Sequence, residues 1–191
     1  TRRVLFTEGM LKGDSALTAM LLSSGVDPAE LDVRPSDMVP TSSGFSPAPG
    51  RARLTALLES VPEADQVTIY GFYGIHNWRN HPEWNGISPG KNHAYVAFDG
   101  DVGTNPHVWK AAKDLFDALD KKHSDPVLID LSGAKDELGR KVGMDDYLAT
   151  MGDWASLLAL GTKDLPARPR TEAEGTIGQW RMDPDTAQTQ E

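Results

Sequence analysis

The chain has 191 residues, 39% of them hydrophobic and 25% charged, enough to bury one core without staples and leave room for an appendage. It has no cysteine, which excludes disulfides, thiolate zinc sites and a cysteine nucleophile, and no apolar run approaches the roughly 20 residues of a membrane span. The net charge of −9 argues against a free-standing nucleic-acid binder, which needs a basic face to neutralise phosphates. The acid excess reads either as a soluble surface or as carboxylates gathered around metal. The chain opens on Thr1 with no charged-then-apolar leader, so it is expected to be a fragment or a processed form.

Arg3 to Thr7 is a short apolar run of strand formers ending at Glu8-Gly9. From Asp14, with Gly13 or Asp14 as cap, Leu17, Met20, Leu21 and Ser24 fall at helical spacing until Gly25. Met38 to Gly44 reads as a second short strand, and Phe45 to Gly50, with two prolines, as loop. Leu54, Leu57, Leu58 and Val61 mark an amphipathic helix stopped by Pro62. Gln66 to Phe72 is the next strand, followed by a long loop from about Gly74 to Asn92.

His93 to Phe98 is nearly continuous in apolar residues, as in a strand covered on both faces. Asp99-Gly100-Asp101 ends it. Asn105 and Pro106 then open a helix whose apolar positions run from Val108 to Leu119. Pro126 to Leu131 is another buried strand. Asp145 to Met151 looks like a short helix, which Trp154 to Leu160 either extends or follows. An α/β domain is expected over residues 1–162, with a mostly parallel sheet and helices on both faces. A flexible tail rich in Pro, Glu, Gln and Thr is expected over 163–191.

In such sheets the working site lies at the carboxyl ends of the strands, and Glu8, Asp99 and Asp101 fall there. Side chains two apart in an extended chain point the same way. If the first and central strands are neighbours, three carboxylates come within reach of one hard divalent ion. Such an ion offsets the charge that builds as a P–O bond breaks, and Glu8 is the candidate general acid or base. Without metal the acids would repel, so Asp99→Asn with Asp101→Asn is expected to stabilise the metal-free protein. Asp-Gly-Asp is also ordinary turn chemistry.

These residues match a known pattern. TEGMLKGDSA from Thr7, AFDGDVGTNPHVWKAAKDLFDAL from Ala97, KVGMDDYLATMG from Lys141 and GIHNWRN from Gly74 together resemble the motifs of Toprim domains. The likeness is to the Toprim-like family of phage and plasmid primase and replicative-helicase proteins. It spans roughly residues 3 to 152. It implies a Rossmann-like Toprim fold, dependence on Mg²⁺ or Mn²⁺, and primer synthesis, strand joining or cutting, as by a nucleotidyltransferase or nuclease. Carried over by position, Glu8 becomes the general acid/base, Asp99 and Asp101 the metal ligands, and Asp145 an accessory acidic position. Lys12 stands where a typical primase has an acid, which puts primer synthesis in doubt and leaves this lysine free to contact phosphate. The implied partners are nucleic acid, single-stranded DNA first, gripped with help from other domains, and a replicative helicase. No membrane is involved, and the implied location is the cytoplasm of a bacterium or phage-infected host cell. The alternative is a non-catalytic Toprim-like module that docks a replication or defence protein or senses a nucleotide.

The remaining candidates have bland readings beside the functional ones. Lys12 is either a solvated lysine or a phosphate contact at a helix start. Trp78 and Arg79, with Trp84, either stack on unpaired bases or pack the long loop onto the sheet. Asp145 and Asp146 can cap their own helix. Among His76, His81, His93 and His107 only His76 and His81 loosely match the spacing of a helix-borne zinc pair, and that stretch does not read as helix.

Overall fold

The structure, a computed structural model, describes residues 3–31, 39–41, 44–46, 48–87 and 93–170. In chain order the elements are β1 (Arg3–Glu8), α1 (Met10–Ser23), β2 (Val39–Thr41), β3 (Gly44–Ser46), α2 (Ala48–Ser60), β4 (Val67–Phe72), β5 (Ala94–Ala97), α3 (Pro106–Asp120), β6 (Val127–Ile129), α4 (Met144–Thr150), α5 (Trp154–Ala159) and β7 (Gly161–Thr162). The main sheet runs β4-β1-β5-β6-β7. Its first four strands are parallel, and β7 adds to β6 in the antiparallel sense. β2 and β3 form a separate antiparallel pair.

The alternation of β1 decides the layers. Val4 and Phe6 enter one core with Phe72, Val96, Leu128 and the buried stripe of α3 (Ala111, Ala112, Leu115, Phe116, Leu119). Leu5 enters a second core on the opposite face, with Ala16 and Met20 of α1, Met144 of α4, and Trp154 and Leu157 of α5. Each fully buried Val, Leu, Phe or Met side chain among them stabilises the fold by about 1.5–3 kcal/mol. The result is an α/β fold with a mostly parallel five-stranded sheet and helices on both faces. Among the described residues no helix is long and apolar enough to cross a membrane.

Numbered among themselves, the four parallel strands lie in the order second, first, third, fourth. The chain therefore reverses its direction of travel across the sheet between β1 and β5, which leaves a crevice at their carboxyl ends. Glu8 ends β1 and Asp99 follows β5 at that place.

Several local expectations are corrected. α1 begins at Met10, just after Gly9, and not at Asp14. Gly13 is an interior residue that lets the helix lie close on β4, its Cβ position 3.7 Å from Ile69 Cγ2 and 3.8 Å from Gly71 Cα. Phe45–Gly50 is not loop: β3 and the start of α2 fall there. The first helical turn needs no backbone N–H partner and so accepts Pro49. The long loop carries two 3₁₀ turns, Asn77–Asn80 and Trp84–Gly86, and α5 is separate from α4, capped by Asp153. Met38 and residues 88–92 lie outside the described residues.

The chain stays attached to the domain beyond residue 162. Leu165 packs against the α3 core, and the Trp109 indole N–H donates to the Pro166 carbonyl at 2.8 Å. Residues 171–191 of the expected tail lie outside the described residues.

Candidate functional site

A cleft of about 290 Å³ opens at the carboxyl edge of the sheet. Lys12, Asp99, Lys141, Asp145 and Asp146 supply its charged side chains, over a backbone floor at Gly100, Val142 and Gly143. Three chain segments meet there: the first turn of α1 after β1, the turn after β5, and the loop from β6 into α4. Two glycines let them come so close. A Cβ on Gly100 would stand 2.9 Å from the Leu131 carbonyl oxygen and 3.3 Å from that of Val142. A Cβ on Gly143 would meet Asp145 Oδ1 at 2.7 Å, and Asp99 Oδ1 and Lys12 Cε both at 3.6 Å. Asp145, Asp99 and Lys12 thus converge on the space that this missing side chain leaves.

Each aspartate of the Asp-Gly-Asp turn holds a lysine. Lys12 Nζ donates to Asp99 Oδ1 at 2.5 Å. Lys141 Nζ donates to Asp101 Oδ2 at 2.8 Å, where the Asn105 amide also donates at 3.3 Å. The other oxygen, Asp101 Oδ1, is buried and has no hydrogen-bond partner. Burial by itself would push the Asp101 carboxyl up, but the bonds from Lys141 and Asn105 and the Lys141 charge outweigh it. The group is held below the ordinary aspartate value. In return, the hydrogen bond to Asp101, with the charges of Asp101 and Asp99, raises Lys141 above the ordinary lysine value.

The predicted site residues divide. Lys12, Asp99 and Asp145 come together, and Asp101 joins them through Lys141. Glu8 does not line the cleft. The pleat of β1 carries it to the face of Val4 and Phe6, whereas Asp99 meets α1 on the other face. Asp99 and Asp101 do not lie two apart in an extended strand either. β5 ends at Ala97, and the Val102, Thr104 and Asn105 N–H groups fold back onto the Asp99 and Asp101 carbonyls as turns. Among the described residues no group of three or more His, Asp or Glu side chains is gathered closely enough to hold a metal ion. Lysines stand between the acids instead.

Trp78 and Arg79 belong to the packing account. Trp78 is buried at 3% exposure in the α3 core, with its ring centroid 4.6 Å from that of Trp84. Arg79 lies over the Trp78 ring and bonds Asp114 of α3 at 2.8 Å. Trp78 therefore offers no open face for a base, and Trp84, partly buried, packs against the same core. His81 packs edge-on to Tyr70 and Phe72, 5.1 and 5.8 Å between centroids, as part of the same loop packing. Asp146 takes the capping role, accepting from the Gly143 N–H at 3.4 Å.

Sequence reasoning missed Lys141 as a member of the site. Its position just before the Val142-Gly143 entry to α4 was visible, but its partner lies 40 residues away. Comparison with known proteins adds nothing to this description: no family model, curated protein or solved structure matches the chain.

Proposed function

We propose that the chain is a Toprim-type, metal-dependent domain acting on nucleic-acid phosphodiester bonds, as a nuclease or nucleotidyltransferase within a phage- or plasmid-type replication protein. One observation carries the reading. Acids from separate segments gather, with two lysines, at the carboxyl edge of a parallel sheet beside its switch point, where such folds place their chemistry.

The donor chemistry fits Mg²⁺ or Mn²⁺. All the acids offer hard oxygen ligands, and the buried, unpartnered Asp101 Oδ1 is an acceptor in want of a cation or proton donor. The resemblance gives the ion to Asp99 and Asp101, with Asp145 accessory, and of these Asp99 and Asp145 meet in the cleft. When bound, the ion would act as a Lewis acid on a phosphoryl oxygen. Lys12, which lines the cleft from the first turn of α1, would orient a phosphate. The acid/base role of Glu8 rests on the resemblance alone, because Glu8 stands outside the cleft. Single-stranded DNA is the proposed substrate and a replicative helicase the proposed partner.

A second reading, a non-catalytic nucleotide-sensing or docking module, is favoured by one feature: Lys12 and Lys141 already neutralise Asp99 and Asp101 without metal. Calorimetric titration of Mg²⁺ and Mn²⁺ into wild type and Asp99→Asn/Asp101→Asn, with nuclease and primer-synthesis assays on single-stranded DNA, separates the two. Binding and turnover that vanish together in the variant support the enzyme, and metal binding unchanged in the variant refutes the site. Without metal the double variant should melt below wild type, the reverse of the expectation from repulsion, because two ammonium groups lose their partners.

A further inference from the structure

The charge in and around the cleft is nearly a count of whole ions. Asp99, Asp101, Asp145 and Asp146 face Lys12 and Lys141. Four carboxylates against two ammonium groups leave two negative charges, the charge of one divalent cation. Each lysine bonds one acid. Lys12 takes one oxygen of Asp99, and Lys141 takes one oxygen of Asp101. These are the two acids that the proposed function gives to the metal.

We infer, on the reading of the site proposed above, that Lys12 and Lys141 are exchangeable counter-ions that hold Asp99 and Asp101 in the metal-free protein and turn to substrate phosphate oxygens when a divalent cation takes the carboxylates. A divalent cation that takes the free oxygen of either carboxylate meets an ammonium charge held on the other oxygen of the same group, and this repulsion favours the ammonium turning away as the metal binds. A displaced ammonium on a long, jointed stem keeps its charge and stays in the cleft, where a phosphate supplies the replacement anion. The two lysines differ in freedom. The Lys12 side chain is 17% exposed and that of Lys141 57%, so Lys141 can swing out readily while Lys12 shifts only locally. Metal loading then both creates the Lewis-acid centre and releases the cations that grip the substrate, which ties phosphate affinity to metal occupancy.

The test is Mn²⁺ calorimetry on wild type, Lys12→Met and Lys141→Met, followed by anisotropy of a labelled dT10 oligonucleotide with and without saturating Mn²⁺. Methionine keeps the apolar stem and removes the competing charge. Each variant should bind Mn²⁺ about two- to fivefold tighter, the range expected from removing a partly exposed ion pair. Each should bind dT10 more weakly than wild type when Mn²⁺ is present, and the wild-type gain on adding Mn²⁺ should shrink in both. Lys141 is exposed on a loop, so its variant carries the test should Lys12→Met fold poorly. Wild-type Mn²⁺ affinity unaltered or weakened in the lysine variants overturns the exchange and leaves the metal site standing. No Mn²⁺ binding by wild type or by either variant overturns the metal site itself, and the exchange with it. Binding that appears only once a lysine is removed supports the exchange most directly.

Discussion

Gly100 fixes where both aspartates of the turn stand, and Gly100→Ala measures how tightly. The added methyl would lie 2.9 Å from the Leu131 carbonyl oxygen, 3.3 Å from its carbon and 3.3 Å from the Val142 carbonyl oxygen. All three are backbone atoms, in the segment after β6 and on the floor of the cleft, so no flexible side-chain end can yield. Relief must come from moving the Asp99–Asp101 turn away from the β6–α4 loop by a few tenths of an ångström. Overpacking of this kind costs about 1–3 kcal/mol, which in a domain of this size lowers the melting temperature by about 2–12 °C. Gly133→Ala is the matched control. Nothing lies within 4 Å of its Cβ position, so the same chemical change should leave the melt nearly untouched or raise it slightly through the unfolded state. Thermal melts of the two variants, without metal, give the comparison. A Gly100→Ala protein that melts within about 1 °C of wild type, on the scale given above, would refute the close approach on which the cleft is built.

Three further substitutions probe the charges and the aromatic loop. Asp101→Asn should cost about 1 kcal/mol near neutral pH, since Lys141 is largely exposed and its attraction is screened. The Asp101 carboxyl is depressed in the folded protein, so its contribution is present above the unfolded value of about 3.9. It is lost as pH falls through the lower folded value. The gap between wild-type and variant melts should therefore hold from about pH 5 to 8 and close below about pH 4, and a gap that widens in acid would reverse the assigned sign. Trp78→Ala should cost about 3–5 kcal/mol through loss of core packing, whereas Arg79→Ala should cost under about 1 kcal/mol, because Asp114 keeps Lys110 as a second partner. If Trp78→Ala instead weakens single-stranded DNA binding without moving the melt, the tryptophan is a base platform after all.

The layered fold was legible because burial writes itself into local pattern. The unbroken apolar run before Asp99 required a strand covered on both faces, and β5 is buried between α3 on one side and the α1, α4 and α5 layer on the other. Asn105-Pro106 marked the start of α3 because a cap and a first-turn proline act over one or two residues, and the Asn105 side chain does accept from the His107 N–H. The start of α1 was misplaced for the opposite reason. Met10 and Leu11 are 50% and 77% exposed, so no apolar period announces the first turn. Gly13 then looked like a boundary, although it lies inside the helix, close on β4.

For the site, sequence supplied the acids and misjudged their company. Placing Glu8, Asp99 and Asp101 at one edge needed only strand order, and β1 does lie beside β5. Joining all three in one cluster required the pleat to continue past the strand ends. It does not: β1 turns Glu8 to the α3 face, and the chain after Ala97 coils into turns. The lysines escaped because an ion pair between positions 12 and 99, or 101 and 141, leaves no mark in local spacing. That also reverses the electrostatic argument. Three acids considered alone repel and call for metal, but two acids already matched to two lysines form a stable arrangement that metal must compete to enter. Any metal affinity this cleft has is therefore a difference between two sets of charged contacts, and its size depends as much on Lys12 and Lys141 as on Asp99 and Asp101.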